Sequence, residues 1–540
     1  MKLVPLIFVD LDDPVTLAGP SIGTKHAKAI YVDLAVWKSL LIQYSSPIVP
    51  GPPSAGGGST FDFYISTSGS DSNPGTLASP WAITAINTKQ STYAGKRVGI
   101  IAGTYDVSSL MNSTFHTPVL NINGGPNSST KTYIGSSDTN GFYKVRAATI
   151  DAKGSSGFYG GGNANISSII GQGHETNLGP NWGNWIIDGL KLTGFSLWAA
   201  HIGNYDGVGG AVPNAVIQNC EFTGGSGQNS TAASGVNLAP IVVYTSDNCT
   251  VTNNYLHDNF GWTDNSHFSA MYIWGLGAGH GVGLSVTYNT LVNTGNIHSK
   301  EATQLNSTIA YNYIDMTSKT PSGGPSQNST GIFGFNADGN TGTLTVIHHN
   351  IVLSYGNYIS TENDTGQNGW YTPCRVYNNT FVDVGTNTSG AGGFTAYEMS
   401  AGLVPMSFYN NLYWDAGFAI GGYGYAIAPT DEFSVLDYNI YGTGDKFNTV
   451  AAGGQNSTGA TQRTFAAWKT STGGDAHSST NSTNPFTNNG ARALQYQISS
   501  GSPAYQTGHV GGTSGGALVN VGAWDGIVTQ IGSYTNGVPD

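Results

Sequence analysis

The chain has 540 residues, a formal net charge of −12 and only 9% charged residues, against about 25% in an average soluble protein. Its 77 glycines suggest disorder, but 11% aromatic residues exclude a chain that is too polar to collapse. No basic stripe is present to bind nucleic acid, and no run of about 18 apolar residues is present to cross a membrane.

In chain order, residues 1–48 have ordinary mixed composition. Their start, MKLVPLIFVDLDDPV, has too short an apolar core for a secretory leader, because Asp10, Asp12 and Asp13 follow at once. Residues 49–59 read as a linker, stiff over Val49-Pro50-Gly51-Pro52-Pro53 and flexible over the Gly/Ser stretch that follows. From Thr60 onward short apolar runs alternate with Gly, Ser, Thr and Asn. Cys220, Cys249 and Cys374 are too few for a disulfide framework and lack zinc spacing, so they read as small buried hydrophobes.

A repeat runs through the long zone: WIIDGLKL (185–192), VIQNCEF (216–222), VTNNYL (251–256), VTYNTL (286–291), IAYNYI (309–314), IHHNIV (347–352), VYNNTF (376–381), FYNNLY (408–413) and LDYNIY (436–441). Aligned on these segments, Asn219, Asn254, Asn289, Asn312, Asn350, Asn379, Asn411 and Asn439 share one position, which Gly189 takes in the first. The intervals vary from 23 to 38 residues while the local pattern stays constant. Short strands of fixed length joined by loops of free length have this signature. Stacked at the normal interstrand spacing of about 4.8 Å, the asparagines form an amide ladder along the axis. The apolar residues do not recur at three and four, which excludes helices.

The segments FDFYISTSGSDSNPGTLASPW (61–81) and AGKRVGIIAGTY (94–105) resemble the opening of right-handed β-helix proteins of the pectate-lyase-like group. FAAWKTSTGGDAHS (465–478), SPAYQTG (502–508) and NVGAWDG (520–526) resemble their exit. The resemblance implies an all-β fold, a right-handed single-stranded parallel β-helix (a solenoid), with a small N-terminal adaptor segment. The coil is expected over 60–444 and a capping end over 445–540. An adaptor, a linker and a β-helix together resemble a bacteriophage tailspike or other virion appendage. That resemblance implies a homotrimer on the virion surface. It further implies docking to other virion proteins through residues 1–48, and a host cell-surface polysaccharide gripped or degraded by the coil. Two alternatives stand beside it: a free, extracellular polysaccharide lyase or hydrolase, and a non-catalytic structural appendage.

Chemistry on a coil requires side chains that meet by stacking. Counted from the ladder asparagine of each turn, Asp264 and His267 follow Asn254 by 10 and 13 residues. Lys300 and Glu301 follow Asn289 by 11 and 12, and Glu362 and Asp364 follow Asn350 by 12 and 14. Three charged clusters at one phase line one flank. In phase and two turns apart, Glu301 and Glu362 stand about 9–10 Å from each other. That is near the upper end of the 6.5–9.5 Å span, roughly, of an inverting glycosidase pair. The catalytic candidates are therefore Glu301, Glu362, Asp364 and Asp264. Trp262, His267, Tyr272, Trp274 and Lys300 are the candidate sugar contacts. Hydrolysis needs no cofactor. A lyase would use Lys300 or another base and add Ca²⁺, but no dense Asp cluster supports that. His348-His349 lies within a ladder segment, where strand alternation sends one ring inward and one outward, so no shared metal is expected.

Overall fold

The computed structural model describes residues 3–6, 30–33, 61–111, 118–154, 168–173, 183–196, 198–203, 212–225, 237–259, 267–274, 283–300, 306–317, 331–335, 345–354, 357–362, 374–383, 393–397, 406–414, 418–423, 433–449, 461–488, 490–535 and 538–540. The chain divides into two compact units, Met1–Gly58 and Ser59–Asp540. In the first, Leu3–Leu6 pairs antiparallel with Ile30–Asp33. The linker segment 49–59 lies outside the described residues.

In the second unit three sheets of twelve strands hold almost all regular structure. From Arg97–Ile101 to Lys446–Thr449 the chain visits a first, a second and a third sheet in rotation, and each strand lies beside its counterpart in the next coil. Pairing is parallel throughout these sheets, except where Thr461–Arg463 joins Lys446–Thr449 antiparallel. This large parallel architecture resembles the right-handed β-helix proteins. The core lies between the sheets. Leu192, Phe222, Leu256, Leu291 and Ile314 line up in register along the inward face of the second sheet, and all are fully buried. Such files remove apolar area from water at about 25 cal/mol per Å².

From Trp185 onward the corner between the first and second sheets is constant. Two residues separate Trp185–Asp188 from Lys191–Thr193, and two separate Val216–Gln218 from Glu221–Thr223. The first of the two takes a left-handed φ: 66° at Gly189, 57° at Asn219, 52° at Asn253, 56° at Tyr288, 59° at Tyr311 and 53° at His349. Gly and Asn adopt that conformation cheaply, whereas a bulky residue there costs about 1–2 kcal/mol. Tyr288, Tyr311 and His349 offset the cost by stacking along the axis, with ring centroids 4.7 and 5.2 Å apart.

The second corner residue forms the ladder. Asn254, Asn289, Asn312, Asn350, Asn379, Asn411 and Asn439 are fully buried. Each of the first six donates Nδ2–H to Oδ1 of the next, over 2.9–3.2 Å. Asn219 is corrected out of this file. Gln218 pairs with Thr252, which sets Asn219 opposite Asn253 at the left-handed position and Cys220 opposite Asn254. Both positions accept asparagine, so the sequence pattern misplaced it by one residue. At the far end Asn439 donates to Asp475 (3.2 Å), which also accepts from Trp468 Nε1 (2.9 Å), Ser478 Oγ (2.6 Å) and Tyr441 Oη (3.1 Å). Trp468 belongs to the closing helix Phe465–Thr472.

Beyond Asn481 the chain returns as a strap over the outer face of the second sheet. Ala504, Val521, Ala523, Trp524 and Ile531 pack on Tyr313, Ile351, Leu353, Val382, Leu412 and Ile440. The strap runs against the progress of the coils. His509 bonds Asn410, Ala523 bonds Thr380, Ser533 bonds Thr290 and Tyr534 bonds Asn253. It ends where Asp540 meets Arg146 in a two-pronged ion pair of 2.7 and 2.8 Å.

Candidate functional site on the third sheet

From Trp185 onward the length variation of the repeat falls on the two sides of the third sheet, because the other corner keeps two residues. The connection leading into it is nine residues long between His257 and His267 but three between Val292 and Asn296. Connections of free length beside a rigid sheet are where binding and catalytic residues concentrate.

The third sheet keeps one register apart from shifts between Ser269 and Met271, Asn357 and Ile359, and Phe418 and Ile420. Ile241, Met271, Ile297 and Ile332 form one file. Register extends this file to Phe447, which packs on Tyr441 and Trp468 and therefore marks the inward side. Val242, Tyr272 and His298 have the opposite phase, and so, two residues on, do Tyr244, Trp274 and Lys300. Tyr244 pairs with Trp274, and Trp274 with Lys300. Phe335 pairs with Glu362, and Tyr397 with Tyr423. The pairs His298–Phe333 and Thr361–Ala396 carry the register across the two remaining steps. One line of backbone positions along the coil axis therefore reads Tyr244, Trp274, Lys300, Phe335, Glu362, Tyr397, Tyr423. Lys300 and Glu362 are two strands apart on it, about 9–10 Å at the usual spacing.

Beneath this line runs a chain of ring contacts. His201 meets Trp198 and Tyr244 at 5.4 Å each, Tyr244 meets Tyr272 at 6.1 Å, and Tyr272 meets His298 at 5.1 Å, all edge-to-face. Tyr272 is 1% exposed, so its reading as a solvent-facing sugar platform is corrected. Enclosed between Tyr244 and His298, its ring supports the sheet instead.

Of the other residues singled out above, Glu301, Asp264, Asp364 and Trp262 lie outside the described residues. Lys300 and Glu362 each end a third-sheet strand, on one line. His267 begins its strand opposite Asn237, seven residues before Trp274, and so stands well away from that line. Counting from the ladder asparagine fails in that coil because the connection into the third sheet is six residues longer, and the strand three longer, than in the coil of Lys300.

The sequence reading passed over a charged cluster on the outer face of the second sheet. Glu221 pairs with Lys191 (2.6 Å) and His257 (3.3 Å), and His257 also meets Asp258 (2.8 Å). Tyr255 stacks on His257 at 4.0 Å. Burial pushes the Glu221 pKa up, but His257 and Lys191 outweigh it and bring it down to about 2. Glu221 is therefore a fixed anion at neutral pH, with its partners already in place. Among the described residues no group of three or more His, Cys, Asp or Glu could hold a metal ion.

No protein-family model matches this chain, and no curated protein matches it. Among solved structures, XylC in complex with xylose is 11% identical over 71% of this chain and 84% of that one, with a TM-score of 0.36. PfbA, a surface adhesin of Streptococcus pneumoniae, is 12% identical over 67% and 83%, with a TM-score of 0.38. The tailspike protein of E. coli bacteriophage HK620, in complex with a pentasaccharide, is 12% identical over 69% and 62%, with a TM-score of 0.37. Values this low carry no conclusion about activity.

Proposed function

We propose that this protein binds an extended polysaccharide along the third sheet and cleaves it, acting outside the cell as a glycoside hydrolase. The observation that carries the reading is the single register line on which Trp274, Lys300, Phe335, Glu362, Tyr397 and Tyr423 follow one another. Aromatic residues offer flat faces to sugar C–H groups, and a straight file of them suits a linear polymer. The low charge of the chain (9%) suits a ligand made of hydroxyls. In this reading Glu301 and Glu362 are the acid and base. One protonates the glycosidic oxygen as the bond breaks, and the other takes a proton from the attacking water. Asp264 and Asp364 are the reserve carboxylates, and Trp262, Trp274 and Lys300 hold the sugar. If the substrate is a uronate polymer, Lys300 serves instead as the base of an elimination.

The test is incubation of the full chain with a panel of neutral and acidic polysaccharides. New reducing ends without an unsaturated chromophore mark hydrolysis, and the chromophore marks elimination. Glu362→Gln and Glu301→Gln are expected to lower cleavage at least about 100-fold, the usual worth of an acid–base group, while leaving binding intact. Binding without cleavage by the wild type would leave a non-catalytic appendage, and no binding to any glycan would sink the reading. The separate unit Met1–Gly58 favours a second reading, a tailspike fixed to a virion through that unit. It requires a trimer in solution, which light scattering decides.

A further inference from the structure

Two histidines at the constant corner take no part in the glycan reading. His348 ends the strand Thr345–His348, and His349 is the left-handed corner residue beside it. Because His349 stands in the turn rather than the strand, alternation does not separate the rings, contrary to the expectation from sequence. Their Nδ1 atoms are 2.6 Å apart. His349 Nε2 lies 3.0 Å from Asp525 Oδ2 on the strap. Asp525 Oδ1 accepts the backbone N–H of Ile527 (2.8 Å) and of Val528 (3.0 Å), so both its oxygens are committed.

Counting protons defines what this arrangement tolerates. An ionised Asp525 only accepts, so His349 carries a proton on Nε2. When His349 is neutral its Nδ1 accepts and His348 supplies the hydrogen from its own Nδ1, and when His349 is charged the two roles reverse. A gap of 2.6 Å has room for one hydrogen. Two imidazolium rings would set N–H against N–H, so the closed arrangement holds at most one additional proton. Two freed histidines take up two, near their ordinary pKa of about 6.5.

The surroundings do not relieve this restriction. Tyr377 stacks on His348 at 4.9 Å, and Tyr311 stacks on His349 at 5.2 Å and meets His348 edge-on at 5.1 Å. Tyr288 and Tyr409 extend the two stacks. Arg375, the nearby cation on the strand Cys374–Tyr377, adds positive charge. Burial, and then His349, hold the His348 pKa well below its ordinary value against the pull of Asp525. Burial raises the Asp525 pKa, but the hydrogen bond and charge of His349 and the two backbone N–H groups outweigh it and lower it.

We propose that Asp525, His349 and His348 form an acid-released clasp that fastens the C-terminal strap to the corner of the coil. Where both freed histidines are charged, the open state binds at least one proton more than the closed state. The ratio of closed to open therefore falls as pH drops below about 6.5, approaching ten-fold per pH unit by about pH 5.5. Asp525 acts in the same direction at lower pH. Its depressed pKa contributes stability above its unfolded value of 3.8 and loses it as pH falls further.

Hydrogen exchange of the full chain, read by mass spectrometry from about pH 8 to about pH 5 and corrected for intrinsic rates, tests the clasp. Strap residues 519–528 should open progressively more below pH 6.5, approaching ten-fold per unit by about pH 5.5, with inner strands such as Thr308–Ala310 unchanged. His348→Phe keeps the ring on Tyr377 but frees His349 to become a cation facing Asp525, so acid should now tighten the strap. His349→Phe should leave it loose at every pH. A wild-type strap whose opening does not change with pH overturns the proposal, and so does a His348→Phe strap that acid releases as in the wild type. If neither variant folds, the wild-type titration decides alone.

Discussion

Asn312→Ala is the sharpest test of what holds the coils in register. Asn312 is fully buried. Its Oδ1 accepts the backbone N–H of Asn289 (2.9 Å) and the Asn289 side-chain amide (3.0 Å). Its Nδ2 donates to the Val286 carbonyl (2.9 Å) and to Asn350 Oδ1 (2.9 Å). Alanine orphans the Asn289 N–H and removes one donor each from Val286 and Asn350. An orphaned buried donor costs about 1–3 kcal/mol and each lost bond about 1 kcal/mol, for a total of about 3 kcal/mol. The loss is local, since a coil touches only its neighbours. It should appear as a lower guanidinium midpoint by far-UV circular dichroism, and as faster exchange in the coils holding Asn289 and Asn350. A loss under about 0.5 kcal/mol, the range of ordinary surface substitutions, would show that strand pairing alone sets the register.

The ladder can also be extended. Asn254 Oδ1 already accepts the backbone N–H of Cys220 (3.0 Å). Cys220→Asn supplies the missing side-chain donor and should stabilise the coil by about 1 kcal/mol, read as a rise in the same midpoint; no rise or a fall refutes this. At the other end, Asp475→Asn sets an N–H against one of the donors that converge there, Trp468 Nε1 among them, and should weaken the cap by about 1–3 kcal/mol. Burial is the largest influence on the Asp475 carboxyl and holds its pKa above 3.8 despite four hydrogen-bonding neighbours. The folded state therefore binds the proton more tightly than the unfolded state. Cap stability falls as pH rises from 3.8 toward the folded value. Tryptophan fluorescence against temperature and pH should show that slope in the wild type and lose it in Asp475→Asn.

The coil is readable in the sequence because each turn needs one residue whose side chain both donates and accepts along the axis. Asparagine meets that need from Asn254 to Asn439. It is also one of the few residues at ease in the left-handed position just before. Asn253-Asn254, Asn378-Asn379 and Asn410-Asn411 therefore look alike at both places, and only strand pairing could assign Asn219. The count from the ladder set Glu301 in phase with Glu362, whereas the register aligns Lys300 with Glu362, because the two paths from the ladder differ by one residue. The same count misled at His267, where the connection and the strand are longer. The strap left no periodic trace, because its partners are remote: Asn520 meets Asn378 across 142 residues and Asp540 meets Arg146 across 394. Its contacts answer to the shape of a finished coil, which no local pattern encodes.

The constant corner makes distance along this molecule come in steps. Residues on the third sheet can move apart or together along the axis only by whole coils, each worth about 4.8 Å, because each coil is pinned at the corner by its amide. Lengthening a connection changes what overhangs the line but not the rung on which Lys300 or Glu362 stands. Deleting the whole coil between them would bring the two onto adjacent rungs without disturbing the coils beyond. Separation between reacting groups, elsewhere tuned by fractions of an ångström, is here chosen from a short list of integers.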